Sequence, residues 1–561
     1  MQKRYAIAFI LCLIACTHSH ADAHKIAIAS AHPLATEAGF EIIRNGGNVF
    51  DAAVAVSAAL AVVEPGSSGL GGGGYWLLHR EQDALDTLID GREKAPLAAS
   101  KDMFLDKDGQ VIPKLSLDGA LAAAIPGLPA ALVHLSEKYG RLPLSESLKP
   151  AIRYAQTGFA ISAKHLKLLA FRADIIKKYP QTARLFLMDG ELPATYSILR
   201  QADLARTLGR LAESGHAGFY RGYTASQLIA SVGKAGGIWT QQDLDSYHIV
   251  ERKPVTGDYH GIKITSAAPS SSGGIVLIEA LNILADYDLQ HSDAVTRIHL
   301  ITEAMRRAYH DRALYLGDSD FIDIPLKRLL SPDYAAGLRS SIRTDHALPS
   351  ALLSGYSTPQ PGGTHTTHFS MIDDEGNRVA ATLSINFPFG SGFVAEDTGV
   401  LLNDEMDDFV SSKDGMNGYG LVGGSANAIA PGKRMLSSMT PTFLDDGARI
   451  AVVGTPGGSR ISTMVLLAAL DFAQGNAPES WVNLPRYHHQ FIPDVLEYEA
   501  GALTAAELDG LAALGHQTKP ARYRYGDMQA VMLDKMTHTL SAASDRRGEG
   551  RAVVEAYPIR R

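Results

Sequence analysis

Two histidines and two threonines stand side by side at the start of an apparent β-strand: His365, Thr366, Thr367 and His368. A threonine hydroxyl is a potential nucleophile, but it needs a base before it attacks a carbonyl carbon. From spacing alone, the two threonines fit ordinary strand-forming residues better. The histidines do not predict a metal site, because residues three apart on a strand point to opposite faces and one ion could not easily be held by both.

Other residues whose side chains could take part in chemistry fit structural roles when each is taken alone. Arg92 fits a surface salt bridge, Asp407 and Asp408 fit a solvated turn, and residues 457–458 fit a tight strand-to-helix connection. The charged side chains of a helix over residues 299–312 are interpreted as a solvated face with packing roles. No G-x-S-x-G segment occurs in the sequence, so a conventional serine esterase has no support.

A glycine-rich loop over residues 66–74 contains a literal G-x-G-x-x-G match, Gly69 to Gly74. A dinucleotide-binding fingerprint requires a strand before the glycines and a helix after them. Here an apparent helix precedes and an apparent strand follows. We interpret the loop as a site of close backbone packing and predict no nicotinamide cofactor.

Hydrophobic periodicity indicates which elements position these residues. Helices are predicted over residues 34–45, 52–63 (with Asp51 as the cap), 275–284 and 461–472, within a middle region, 127–316, that reads largely as helices. Strands are predicted over residues 75–79, 366–372, 379–386 and 450–453. Residues 354–363 are rich in Ser, Pro and Gly and predict a surface linker. The mixture indicates a layered α+β or α/β fold.

Composition narrows the class of protein. The chain has 561 residues, 46% hydrophobic and 20% charged, with a formal net charge of −8. These values are typical of a globular protein and exclude a largely disordered chain. The acidic balance argues against nucleic acid as the main partner.

The first residues are typical of an export signal. Lys3 and Arg4 precede a short apolar run that contains both cysteines, Cys12 and Cys16. We predict a signal peptide over residues 1–23, removed after an A-x-A site, and therefore a periplasmic or secreted protein. A lipobox ending at Cys16 is the alternative, and it would add a lipid anchor. In either case the mature chain has no disulfide, cysteine nucleophile or cysteine-ligated zinc.

A set of ordered motifs changes the interpretation of the threonines. The blocks are Thr366-Thr367-His368-Phe369-Ser370, then Gly376-Asn377, Val379, Thr382, Ser384, Asn386 and Phe389-Gly390, with Asp90-Gly91-Arg92-Glu93, Leu401-Leu402-Asn403, Met406-Asp407-Asp408-Phe409, Tyr419-Gly420-Leu421-Val422-Gly423-Gly424, Leu436-Ser437-Ser438-Met439 and Pro456-Gly457-Gly458-Ser459-Arg460. Together they resemble the γ-glutamyltranspeptidase family (glutathione hydrolases) from about Ala27 onward. So many blocks in order are far more specific than any single motif.

The resemblance implies a four-layer α/β/β/α sandwich of the N-terminal-nucleophile hydrolase type. It also implies that Thr366 attacks the preceding carbonyl of His365, which divides the chain into a large subunit, 24–365, and a small subunit, 366–561, that stay together. The cut would uncover an α-amine on Thr366. Such an amine has a reference pKa of about 8, so one residue would supply both nucleophile and base.

The resemblance further assigns a role to each site residue. Ser384 would hydrogen-bond the nucleophile, and it stands where the family usually has threonine, which implies modestly altered processing or turnover. We expect Ser384 and Asn386 to share one face of the return strand. Arg92 would hold the α-carboxylate of a γ-glutamyl group, aided by Ser437 and Ser438. Glu405 and Asp408 would hold its α-ammonium, with Asn386 helping. Gly457 and Gly458 would face the oxyanion, and Tyr419 would belong to a loop that closes over the bound group.

The implied function is that of an autoprocessed γ-glutamyltransferase and glutathione hydrolase without a metal or organic cofactor. Its substrates would be glutathione and other γ-glutamyl compounds, and its acceptors would be water, amino acids or peptides. The near alternative is a glutaryl or cephalosporin-type acylase of the same architecture, against which Glu405 and Asp408 argue, because a glutaryl group has no ammonium. An exported binding protein without turnover is the alternative from another class.

Overall fold

The computed structural model describes residues 23–353, 366–410 and 417–558 of the chain. Its strands are β1 (Ala23–Ser30), β2 (Gly73–Arg80), β3 (Leu85–Gly91), β4 (Phe159–Ala160), β5 (Ile198–Leu199), β6 (Val250–Arg252), β7 (Val255–Tyr259), β8 (Ile262–Ser266), β9 (Thr367–Asp373), β10 (Arg378–Ser384), β11 (Val394–Ala395), β12 (Val400–Leu401), β13 (Thr442–Asp445), β14 (Arg449–Gly454), β15 (Tyr487–His488), β16 (Leu496–Tyr498), β17 (Thr518–Pro520), β18 (Gln529–Asp534), β19 (Thr539–Ser544) and β20 (Arg551–Pro558).

Helices surround these strands. They are α1 (Pro33–Arg44), α2 (Val49–Val63), α3 (Leu128–Tyr139), α4 (Leu144–Thr157), α5 (Ala163–Phe171), α6 (Ala173–Lys178), α7 (Pro180–Phe186), α8 (Ala202–Ser214), α9 (His216–Tyr220), α10 (Gly222–Lys234), α11 (Gln241–Asp245), α12 (Gly273–Leu284), α13 (Ala294–Tyr315), α14 (Leu326–Leu329), α15 (Pro332–Ser340), α16 (Ile461–Ala473), α17 (Pro478–Asn483) and α18 (Ala505–Ala513). In the described part of the chain, no helix is long and apolar enough to cross a membrane.

Two stacked antiparallel sheets form the centre of the molecule. One has the strand order β20-β1-β9-β10-β2-β3-β6, and the other has the order β19-β18-β14-β13-β8-β7. Strand β9 of the first sheet lies against β14 and β18 of the second. Neighbouring residues of β1 therefore enter different cores: Ile26 and Ile28 pack with the outer helices, whereas Ala27 and Ala29 pack between the sheets. Burial on both faces explains the unbroken apolar run over residues 26–29 of β1.

Helices cover the outer face of each sheet. The first sheet packs against a cluster that includes α1 to α4 and α8. The second packs against α12 and α16, with α13 lying on α12. The architecture is the predicted four-layer α/β/β/α sandwich, and the predicted fold class is confirmed.

Most of the predicted elements are present, with shifted ends. The middle region is largely helical but also contributes β4 to β8, which the sequence did not predict. The predicted cap of α2 was wrong: Asn48 is the cap, and its side chain accepts hydrogen bonds from the amides of Phe50 and Asp51. The Asp51 carboxylate bonds back to the Asn48 amide at 2.9 Å, which completes a capping box and starts the helix earlier.

The glycine-rich loop packs closely against neighbouring backbone, as the sequence predicted. It follows α2 and leads into β2, the reverse of a dinucleotide-binding turn. A Cβ atom on Gly71 would lie 2.0 Å from the Leu401 carbonyl oxygen, and one on Gly72 would lie 2.1 Å from that of Ser384. The missing side chains therefore let this loop press on the end of β10, where Ser384 lies.

Candidate active site

A hairpin of the first sheet holds Thr366. Strands β9 and β10 pair with Thr367 opposite Leu383, so Thr366 comes beside Ser384 at the end of the partner strand. The two hydroxyl oxygens lie 3.4 Å apart. Thr366 is 7% exposed, and it is the first described residue after the predicted linker. His365 and residues 354–363 lie outside the described residues. Residues 1–22 of the predicted signal peptide, which include Cys16, lie outside them as well.

The hairpin ends differently from the prediction. The return strand stops at Ser384, and Asn386 has a positive φ of 73°, so the expectation that both residues share one strand face was wrong. The backbone turns there, and Ser384 Oγ accepts a 2.7 Å hydrogen bond from the Asn386 amide. That bond uses a lone pair of the serine, whose hydroxyl hydrogen remains available to Thr366 Oγ1. The Asn386 side chain donates to the Asp404 carbonyl at 3.0 Å.

One small cavity brings the predicted residues together. It has a volume of about 20 Å³. Its lining includes Arg92, Thr366, Ser384, Asn386, Glu405, Asp408, Tyr419, Ser437, Ser438 and Gly458. Residues from both sides of the predicted cut therefore meet at one point of the fold. This volume holds about one water molecule, so a larger group must displace contacts made across the cavity.

The strongest of those contacts join Arg92 to two carboxylates. Its guanidinium lies 2.5 Å from Glu405 and 2.5 Å from Asp408, with Glu93 at 3.5 Å. Arg92 is 1% exposed, so it is not the surface salt-bridge residue that it resembles in isolation. Burial lowers the pKa of Arg92, but Glu405, Glu93 and Asp408 outweigh it and raise that pKa well above its usual value. The guanidinium is therefore a permanent cation.

The acidic side of the site is crowded. Burial raises the pKa of Glu405 well above its ordinary value, although Arg92 opposes the shift, and in the same way it raises the pKa of Glu93 to about 7. Asp407 is buried as well, and its pKa rises to about 6. Glu93 is a neighbour that the sequence reasoning did not assign to the site, although it belongs to the motif that contains Arg92. The site thus combines one cation with several buried carboxyl groups, and a second cation would stabilise their ionised forms.

Two serines and a second arginine form another wall. Ser437 Oγ accepts a hydrogen bond from the Met439 amide at 3.1 Å, and Ser438 Oγ lies 3.4 Å from Arg312. Arg312 also donates to Ser272 at 3.1 Å. The sequence reasoning missed Arg312, because helical spacing does not distinguish a buried arginine of α13 from an exposed one.

Gly457 and Gly458 form the turn between β14 and α16. Their φ angles are 149° and 57°, in the region that favours glycine. A Cβ atom on Gly458 would lie 2.4 Å from the ring of Tyr419. The Tyr419 hydroxyl donates to the Asn386 carbonyl at 3.0 Å. Tyr419 therefore covers the cavity between this turn and the hairpin, while Gly457 is not part of the lining.

Helix α13 does not have the predicted solvated face. Glu303, Arg306 and Arg307 are each 2% exposed or less, and both arginines pair with the glutamate at 3.1 and 2.6 Å. The prediction was wrong because α13 packs against α12, α18 and neighbouring turns. Its charges are paired with one another and, for Arg306, with Asp494, instead of being hydrated.

One group in the described ranges, His299, Glu303 and His516, has the side-chain types and spacing to hold a metal ion. Its atoms already have partners. His299 contacts the Arg343 carbonyl through Nε2 and His516 through Nδ1, both at 2.7 Å. Two imidazole nitrogens on one zinc ion would lie farther apart, roughly 3.3 Å for tetrahedral geometry. The residues therefore fit a hydrogen-bonded network better than a metal centre. His368, one of the two histidines that flank the threonines in the sequence, hydrogen-bonds Thr382 and Ser370, and burial lowers its pKa to about 3.

The chain is similar to known proteins over most of its length. Residues 35–555 match the family model described as Gamma-glutamyltranspeptidase. A glutathione hydrolase proenzyme from Pseudomonas sp. (strain A14) is 43% identical over 85% of this chain and 84% of its own length, and that of Escherichia coli (strain K12) is 40% identical over 90% and 88%. A cephalosporin acylase from Bacillus halodurans superposes with a TM-score of 0.83 at 29% identity, covering 95% of this chain and 96% of its own.

Proposed function

This chain belongs to the gamma-glutamyltranspeptidase family, and on that premise we propose the route by which its site carries out the family's reaction. The protein is a γ-glutamyltransferase and glutathione hydrolase made as a proenzyme. The observation that carries the assignment to this site is the meeting of Thr366, Ser384 and the Arg92–Glu405–Asp408 cluster in one buried cavity.

The first step is self-cleavage. Thr366 Oγ1 attacks the carbonyl carbon of His365, the peptide C–N bond breaks, the acyl group passes from nitrogen to oxygen, and the hydroxyl proton ends on the Thr366 nitrogen. Water then hydrolyses the ester and returns the hydroxyl. The products are residues 24–365 and residues 366–561, which remain one folded heterodimer because strands of both, such as β1 and β9, pair in the same sheet.

The uncovered amine of Thr366 then acts as the base for turnover. It accepts the proton of Thr366 Oγ1 as that oxygen attacks the γ-carbonyl carbon of the substrate. The tetrahedral oxyanion forms beside the turn at Gly457 and Gly458, where amide dipoles stabilise it. The leaving amine departs with the proton, and water or an acceptor amine opens the γ-glutamyl ester. Ser384 orients the Thr366 hydroxyl from 3.4 Å.

A γ-glutamyl group suits the charge pattern of the cavity. Its α-carboxylate replaces a carboxylate partner of Arg92, and its α-ammonium enters between Glu405 and Asp408, so each ion keeps an opposite charge. A glutaryl group would leave these carboxyl groups without that cation. The relative named as a cephalosporin acylase makes acylase activity the alternative to test.

A set of measurements on the purified protein tests the whole route. Purified protein should appear on a denaturing gel as two pieces, and N-terminal sequencing of the smaller should begin TTHFS. Thr366→Ala should remain a single, inactive chain. Wild-type protein should hydrolyse γ-glutamyl anilide in strong preference to glutaryl anilide. An intact chain with full activity would refute the mechanism, and a preference for glutaryl anilide would indicate the acylase.

The proposal includes export to the periplasm or the medium. Its support is the sequence of residues 1–23, and the lipobox at Cys16 is the alternative form of export. Mass spectrometry of the mature protein tests both, because a lipid on Cys16 and a chain starting near His24 differ in mass.

A further inference from the structure

Thr367, the residue after the nucleophile, points away from the cavity into a separate buried network. Its hydroxyl donates to Glu64 Oε2 at 2.6 Å. Glu64 Oε1 accepts from the ammonium of Lys164 at 2.8 Å, and the same ammonium donates to Asp527 at 2.8 Å. Thr367 is fully buried, Glu64 and Asp527 are 7% and 5% exposed, and Lys164 is 29% exposed.

The start of β9 is paired with fewer neighbouring strands than the rest of β9. Strand β1 pairs with β9 only from Phe369 onward, whereas β10 pairs from Thr367 onward. Thr367 therefore pairs with a neighbouring strand on one side only, and Thr366 pairs with neither strand. The bond from the Thr367 side chain to Glu64 is therefore a second attachment for the backbone that carries the nucleophile.

The other end of the network reaches the turn at Gly457. The backbone amide of Asp527 donates to Thr455 Oγ1 at 3.2 Å, and that hydroxyl donates to the Pro456 carbonyl at 2.9 Å. The side-chain amide of Gln529 donates a hydrogen bond to the second carboxylate oxygen of Asp527 at 2.8 Å. The segment that carries the nucleophile and the turn predicted to face the oxyanion are thus connected through one ammonium group, that of Lys164.

We propose that Thr367, Glu64, Lys164 and Asp527 are positioning residues that set the distance between Thr366 and the Gly457–Gly458 turn. None of them lines the cavity, so they act through the two segments that they hold. This inference rests on the proposed function, because it takes Thr366 as the nucleophile. A misplaced nucleophile lowers the rate of the chemical step far more than it weakens substrate binding.

The test compares Thr367→Val, which removes the hydroxyl at similar volume, with Thr367→Ser, which keeps it. We expect Thr367→Val to lower kcat about tenfold, the value of one hydrogen bond to a charged group, with KM changed less than about twofold. Self-cleavage should slow in parallel. Thr367→Ser should recover most of both rates. Lys164→Met should act like Thr367→Val, and Lys164→Arg should be milder.

A matched control separates positioning from general loss of stability. Thr224 is also fully buried, and its hydroxyl donates to the Gly218 carbonyl at 2.8 Å in the outer helical layer. Thr224→Val should lower the melting temperature without changing kcat. Equal kcat in Thr367→Val, Thr367→Ser and wild type would overturn the inference, and so would a loss seen only in KM.

The two proposals fail in different ways. The variants are assayed on whichever anilide the wild type hydrolyses, so a preference for glutaryl substrate would refute the γ-glutamyl assignment and leave the hydroxyl dependence measurable. A wild type that neither cuts itself nor hydrolyses either anilide would refute both.

Discussion

Arg92 provides the sharpest test of how the cavity recognises its substrate. We compare γ-glutamyl anilide with 4-aminobutanoyl anilide, which differs only by lacking the α-carboxylate. Both substrates are assayed with wild type, Arg92→Lys and Arg92→Ala. The α-carboxylate is the only difference between the two substrates, so if the guanidinium binds it, the preference for the γ-glutamyl substrate depends mainly on Arg92.

The size of the effect follows from the contacts. A hydrogen-bonded interaction with a charged group contributes about 1.5–3 kcal/mol, so wild type should prefer the γ-glutamyl substrate about 10- to 150-fold in kcat/KM. In Arg92→Ala this preference should fall to about twofold or less. Arg92→Lys should lie between the two, because an ammonium keeps the charge but not the two-pronged geometry.

Stability needs a separate measurement, because Arg92 also neutralises Glu405 and Asp408. Removing one partner of a buried ion pair costs about 3–5 kcal/mol. The raised pKa values of Glu405 and Glu93 reduce this cost, since either carboxyl group can take up a proton. Arg92→Lys retains a cation and should unfold at nearly the wild-type temperature.

Self-cleavage supplies an internal control, since breaking the bond before Thr366 requires no glutamyl group in the cavity. Arg92→Lys should therefore cut itself at the wild-type rate. Arg449→Lys, an arginine paired with Asp446 at 2.7 Å and outside the cavity lining, should change neither rate nor preference. If both anilides lose the same factor in Arg92→Ala, then Arg92 does not bind the carboxylate and the assignment is wrong.

Three other residues give shorter tests. Ser384→Ala should slow self-cleavage and turnover about tenfold or more by removing the hydroxyl 3.4 Å from Thr366, whereas Ser384→Thr should match or exceed wild type; gel time courses measure this. Tyr419→Phe loses the 3.0 Å bond to the Asn386 carbonyl and should lower kcat/KM about fivefold to tenfold. Asp373→Asn should become more stable relative to wild type as pH rises from 4 to 8, in paired melting curves, because burial raises the folded-state pKa of Asp373 from 3.8 to about 7.

The sign of the last prediction is set by linkage. A carboxyl group whose folded-state pKa is raised favours the folded state fully below its unfolded pKa, and this contribution is lost as the pH rises through the folded pKa. A constant difference between the Asp373→Asn and wild-type melting temperatures would contradict it. For Ser384, equal rates in the alanine and threonine variants would remove the hydroxyl from the mechanism. For Tyr419, an unchanged kcat/KM would mean that its hydroxyl does not help to shape the cavity.

Local patterns in the sequence predicted much of the architecture. The helical spacing of apolar residues in α1, the continuous apolar runs of α2 and α16, and the turn residues between β9 and β10 act over a few residues, so they are visible without the fold. The ordered motifs identified the family and most of the residues that line the cavity. The ends of elements were less certain, as the cap at Asn48 and the early end of β10 at Ser384 show, because side-chain bonds and a positive φ decide them.

The sequence by itself determined the layered fold class, the family and most of the residues that meet at Thr366. Only the tertiary structure decided which charges are partners: Arg92 with Asp408, 316 positions apart, and Lys164 with Asp527, 363 apart. It also buried the charges of α13 that the sequence placed in solvent. The physical reason is that helical or strand spacing tells which side chains share a face, whereas burial and ion pairing depend on what distant parts of the chain bring to that face.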